Sequence, residues 1–203
     1  MSQLHISLAA EPVLHVGPIA LNNSFLTGAV GSVLILVLFI LAARTIKLYP
    51  GRGISHIIET VSEAILDLIE KVTHDRAKAI RLFPLLMTLF IFILVNNWLG
   101  LLPGMGSITI AGRHGPTPLF RPATADLNTT LALAVISVGM TQIYAVRELG
   151  LGKHLKKYLS WNPIMLFVGL LEFIAEFSKM ISFSFRLFGN IFAGEVLMTV
   201  MMG

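Results

Sequence analysis

Predominantly apolar stretches run from Phe25 to Ala43, from Leu82 to Leu102 and from Leu127 to Val146. At about 1.5 Å per helical residue, each run is long enough to cross the ~30 Å hydrocarbon core of a bilayer. Between the first two runs the pattern changes. Ile54, Ile57, Ile58, Val61, Ile65, Leu68, Ile69 and Val72 recur at helical spacing, and Glu59, Glu63, Asp67, Glu70 and Lys71 fill much of the rest. This predicts an amphipathic helix over residues 54–75, too charged to span and suited to the membrane surface. A last apolar segment, residues 163–203, departs from the others by carrying Glu172, Glu176, Lys179, Arg186, Asn190 and Glu195. The expected fold is therefore all-α: a polytopic membrane protein with three transmembrane spans, one surface amphipathic helix and a charged C-terminal helical segment. Residues 1–24 form an outer N-terminal arm, and the whole chain, 1–203, is read as a single membrane domain.

Composition agrees with this reading. Of the 203 residues, 55% are apolar and only 13% charged, against about 25% charged in soluble domains. The formal net charge of +4 does not mark a nucleic-acid partner, because the basic residues are parcelled between the apolar runs. Of the 15 lysines and arginines, only Arg113 and Arg121 fall in the loop after the second span, and only Lys179 and Arg186 in the last segment. The rest follow the first span, flank the second span's start or follow the third. By the positive-inside rule those ends are cytoplasmic, which places the N-terminus outside. No basic residue precedes Arg44, so the start lacks the charged region of a signal peptide.

The absence of cysteine excludes disulfides and thiolate chemistry. His5 and His15 are too far apart for a metal site, and His56 and His74 read as interfacial side chains; no metal and no cofactor is expected. Trp98 suits an interfacial anchor. Asn96 and Asn97 suit bonds between helices or the lining of a wet entrance. Asp126, just before the third span, suits a helix N-cap.

The charged segment is where chemistry is expected. An ionised side chain at bilayer depth costs about 2.5–3.5 kcal/mol, so such residues are rare and usually functional. At about 100° per residue, Lys179, Glu172, Asn190 and Ser182 fall within about 40° of Arg186 around a helix, and Glu176 within about 80°. Glu195 falls on the opposite side. Glu176 and Lys179, three residues apart, can neutralise each other. Arg186 has no acid three or four residues away on either side, so its partner comes from elsewhere. A carboxyl group facing lipid is kept protonated, its pKa raised by as much as 3–5 units. A guanidinium about 4 Å away at an effective dielectric near 20 attracts the carboxylate by about 4 kcal/mol, or about 3 units the other way. A carboxyl group moving from lipid to Arg186 would release its proton there and regain one on leaving.

The stretch Ser-Phe-Arg-Leu-Phe-Gly-Asn-Ile-Phe-Ala-Gly-Glu, residues 184–195, closely resembles the signature of subunit a of the F-type ATP synthase. Asn-Asn-Trp-Leu-Gly-Leu-Leu-Pro-Gly, residues 96–104, and Phe-Arg-Pro-Ala-Thr-Ala-Asp-Leu-Asn-Thr-Thr, residues 120–130, resemble further motifs of that family. The resemblance covers about residues 54–203 and implies a membrane stator that carries protons, or Na⁺, through half-channels against a rotating c-ring. It implies that Arg186 is the essential stator arginine, with Glu195 and Asn190 lining the ion path and Glu172, Glu176 and Lys179 at further polar positions of the same helix. It implies a last segment tilted along the rotor, the c-ring and b-type peripheral stalk subunits as partners alongside membrane lipid, and a bacterial inner membrane or an organelle's energy-coupling membrane as the location.

Met180 stands where many relatives have proline, and the chain stops shortly after Glu195, where the family continues into a return helix. The natural product is expected to continue, or a neighbouring chain to complete the path. An ion-coupled secondary transporter or channel subunit is the alternative reading, although no internal repeat or pair of broken helices supports it. A membrane hydrolase is disfavoured, because no His-Glu-x-x-His or Gly-x-Ser-x-Gly motif occurs.

Overall fold

The computed structural model describes residues 12–16, 19–45, 54–101, 109–112, 115–118, 121–158 and 163–202. The chain divides into two compact units, one over residues 12–123 and one that includes residues 124–203.

The first unit opens with a hairpin of β1 (Pro12–Val16) and β2 (Ile19–Asn22), antiparallel with Val16 opposite Ile19. The chain runs directly into α1 (Asn23–Thr45). Asn23 is the first residue of this helix, buried, with its Oδ1 accepting the Ser24 N–H at 2.9 Å. Thr27, one turn on, donates its hydroxyl to the Asn23 carbonyl and accepts the Arg121 N–H at 3.2 Å. A buried polar group at the head of α1 thus holds the end of the loop that leads to the third span. Close packing makes this possible: a Cβ on Gly28 would lie 3.3 Å from the Ala123 Cβ, and one on Gly100 would overlap the Pro122 ring.

Helix α2 (Ile54–Thr73) is amphipathic, as its sequence pattern predicts, and packs on α3 (Arg76–Leu101) with Ile69 buried. Ile57, Leu68 and Val72 remain uncovered by the chain, so apolar surface is left for lipid or a partner. His74 makes the sharp corner between the two helices in the left-handed region, at φ 53°. Asp75 then caps α3, its Oδ1 accepting the Ala77 N–H at 2.9 Å. Arg76 reaches back across the corner to Glu70 at 2.6 Å and Asp67 at 3.3 Å. Between α3 and the third span lies a second hairpin, β3 (Thr109–Gly112) and β4 (Gly115–Pro118). The two short hairpins, in the N-terminal arm and in the loop after the second span, are added to the helices of the expected all-α fold.

The second unit is built from α4 (Leu127–Leu149), α5 (Leu151–Tyr158) and α6 (Pro163–Met202). Asp126 is the N-cap of α4 that the sequence predicts, in extended conformation with its Oδ1 accepting the Asn128 N–H at 3.0 Å. Gly150, at φ 81°, ends α4 where a residue with a Cβ would be strained. In α5, His154 is buried edge-on to Tyr158, with ring centroids 5.3 Å apart. Both α4 and α5 pack on α6.

Among the described residues three helices are long and apolar enough to cross a membrane, within Asn23–Leu41, Arg76–Leu101 and Leu127–Leu149. These are the three spans expected from the sequence. Helix α6 is continuous for 40 residues, or about 60 Å. Gly189 and Gly194 do not break it. A rod of that length lying wholly within a ~30 Å core would tilt about 60° from the membrane normal.

Candidate functional site

Two faces of α6 differ sharply. Gly169 and Ser184 are buried, and Glu172, Glu176, Met180, Leu187, Ile191 and Glu195 are partly covered. Their recurrence every three or four residues marks the face turned toward α4 and α5. On the facing side of α4, Thr130, Ala134 and Val138 are buried at four-residue spacing. Small side chains at such a seam let two helices approach closely inside a membrane.

Arg186 lies on the other face. It is exposed, two residues and so about 160° around the helix from Ser184. Among the described residues it makes no ion pair. Lys179, Ser182 and Asn190 are exposed on the same side. So are Ala175, Ser178, Gly189 and Ala193, which leave the surface around Arg186 low and open. A Cβ added at Gly189 or Gly194 would meet nothing within 4 Å.

The polar stripe expected from the sequence is therefore divided. Lys179, Arg186 and Asn190 face outward, whereas Glu172 and Glu176 sit at its edge, partly covered. Lys179 Nζ and Glu176 Oε1 are 3.0 Å apart and join the two sides, the lysine side chain 55% exposed and the glutamate 20%. Glu195 is on the covered side, about 180° from Arg186 and close in angle to Ser184. No group of three or more metal-ligating side chains occurs among the described residues.

Ser184 and Thr130 lie in the motifs at 184–195 and 120–130, but their types and spacing point to no role of their own. Their hydroxyl oxygens are 3.1 Å apart and buried between α6 and α4. The available signal was a serine among bulky apolar residues, two positions before Arg186 and therefore on the side of the helix away from it. Asn96 also differs in detail from its expected role between helices. Its amide donates within α3, to the Phe92 carbonyl at 2.8 Å, while its Oδ1 faces Gly31 of α1.

These features define a polytopic membrane protein in which one long helix is covered on one side and presents a fixed cation on the other. A family model described as ATP synthase A chain matches residues 25–203. ATP synthase subunit a of Moorella thermoacetica is 32% identical over 189 residues, covering 93% of this chain and 77% of that protein. ATP synthase subunit a 1 of Hahella chejuensis is 34% identical over 185 residues, covering 90% and 69% respectively. The Bacillus subtilis subunit a is 36% identical over 177 residues, covering 86% of this chain and 66% of the relative. The chain belongs to the ATP synthase subunit a family, whose members form the proton-translocation pathway of the synthase's membrane sector. It is accordingly a membrane-embedded component of the ATP synthase complex, and the secondary-transporter alternative is set aside.

Proposed function

We propose that α6 presents Arg186 to the carboxyl groups of a c-ring and that this contact drives the exchange of the transported ion. The observation that carries the reading is the position of Arg186. It is a cation without an ion-pair partner among the described residues, on the uncovered face of a long apolar helix, beside small residues that leave room for another helix. A bare guanidinium facing lipid is costly, so this face suits a partner that brings negative charge.

The chemistry follows from two opposed effects of similar size. Burial in lipid keeps a ring carboxyl protonated, and the Arg186 guanidinium at about 4 Å favours its ionised form by about 3 pKa units. Arginine suits the task because it stays charged in an apolar setting and donates to both carboxylate oxygens at once. A ring carboxyl gives up its proton on arriving at Arg186 and takes one up after leaving it. The same fixed charge keeps two half-channels apart.

Asn190 and Lys179, on the Arg186 side, and Glu172 and Glu176 at its edge line the ion path there. Glu195 serves it from the face toward α4. The b-type peripheral stalk subunits hold the chain against rotation. The N-terminus lies outside a bacterial inner membrane, and the transported ion is H⁺ or Na⁺, according to the ring's own carboxyl site.

Disulfide cross-linking tests the contact. Because the chain has no cysteine, Ser182→Cys provides a single thiol on the Arg186 face, to be paired with a cysteine placed near the ring carboxyl. Oxidation should produce an a–c cross-link from residue 182. Cross-links from Leu187, on the partly covered side, in place of residue 182 would contradict the proposed face.

A further inference from the structure

We propose that the buried Thr130–Ser184 hydroxyl pair is a positioning clamp that fixes the rotation of α6 and thereby aims Arg186. The inference rests on the stator reading of Arg186 and adds to it the residues that set the arginine's direction.

Each hydroxyl has one proton to donate. Thr130 Oγ1 is 3.0 Å from the Leu127 carbonyl and 3.1 Å from Ser184 Oγ. If Thr130 donates to the carbonyl, Ser184 donates to Thr130, and neither buried donor is left unpaired. The chain of bonds runs from α6 into the first turn of α4. That turn is itself fixed by the Asp126 cap, through the Asn128 N–H at 3.0 Å.

The clamp is needed because of what surrounds it. Most of the α6 surface is apolar, and apolar side chains in lipid fix the rotation of a helix only weakly, since lipid tails are as apolar as the helix. Ser184 Oγ is a buried hydroxyl that α6 sends into the α4 seam, whereas Ser178 and Ser182 are exposed. Rotation of α6 by one residue's angle, about 100°, would bury a bulky neighbour in place of Ser184 and swing Arg186 toward α4. The Thr130–Ser184 bond opposes that rotation at a site only two residues from the arginine.

The test uses the full synthase in vesicles, with the variants Thr130→Val, Thr130→Ser, Ser184→Ala and Arg186→Ala. Valine keeps the shape of threonine and removes the hydroxyl; serine does the reverse. A clamp predicts that Thr130→Val and Ser184→Ala lower ATP synthesis per assembled complex by roughly threefold to tenfold, with Thr130→Ser retaining most of it. A role in packing alone predicts the opposite order for the two Thr130 variants, and that order would overturn the proposal. A second readout does not depend on activity. A single cysteine at Ala193, exposed beside Arg186, should change its labelling rate with a hydrophilic thiol reagent by at least about threefold in the Thr130→Val background, and not in the Thr130→Ser background. Unchanged labelling in Thr130→Val also overturns the clamp. Near-normal synthesis by Arg186→Ala, with the labelling shift still present, would instead remove the stator reading and leave the rotational clamp standing.

Discussion

Asn96 stands directly over Gly31: a Cβ on the glycine would come within 2.8 Å of the asparagine Oδ1. The asparagine is fully buried, and α1 and α3 pack against each other. Overpacking of this kind costs about 1–3 kcal/mol, partly offset by the ~1 kcal/mol by which alanine exceeds glycine as a helix former. Gly31→Ala should therefore lower resistance to SDS unfolding in mixed micelles. Asn96→Ala combined with it should relieve the clash, giving a coupling above about 0.5 kcal/mol in a double-mutant cycle. Additive effects of the two changes would show that the close approach carries no strain.

The cap on α4 gives a second expectation. Asp126→Ala removes the acceptor for the Asn128 N–H and should cost about 0.5–2 kcal/mol, whereas Asp126→Asn should keep most of the stability. SDS titration followed by circular dichroism measures both. Equal stability of the alanine and native chains would mean that the cap is replaced by other bonds.

The Glu176–Lys179 pair gives a third. Leaving one member of an ion pair in an apolar setting destabilises more than removing both. Glu176→Gln and Lys179→Met should each reduce the amount of subunit in the membrane, and the double variant should recover it. Immunoblots of isolated membranes read the outcome; a double variant worse than either single one would contradict the pairing.

Much of this architecture is legible in the sequence because a bilayer restricts what can cross it. Long, predominantly apolar stretches such as residues 25–43 have one stable solution, a helix that satisfies its own backbone groups. The cap at Asp126 is legible for a similarly local reason. The rotation of α6 is less so. Residue spacing places Lys179, Arg186 and Asn190 on one side, but not which side α4 covers. That depends on small residues such as Gly169 and Ser184, whose value lies in how closely another helix can approach. The bond between Thr130 and Ser184 joins positions 54 residues apart, and nothing local pairs them. Asn96 shows the same limit, since its neighbour Gly31 is on a different helix.

The role proposed for Glu195 in the ion path gives a fourth expectation. Glu195 is partly covered and lies about 180° around α6 from Arg186, so the proposed exchange at Arg186 does not depend on its carboxyl directly. Glu195→Gln should impair ATP synthesis less than any change at Arg186. Complete loss in Glu195→Gln, with the subunit present at normal levels, would make the carboxyl indispensable.

ATP synthesis driven by an imposed ion gradient, in vesicles carrying Arg186→Ala, tests the central claim most directly. The variant should insert and assemble at normal levels on immunoblots and yet make no ATP, because a ring carboxyl then meets no fixed charge on arrival and keeps its proton. Arg186→Lys should fail or nearly fail as well, since a desolvated lysine can lose its proton and cannot donate to both oxygens in the arginine's fork geometry. Near-normal synthesis by the assembled Arg186→Ala complex would contradict the account.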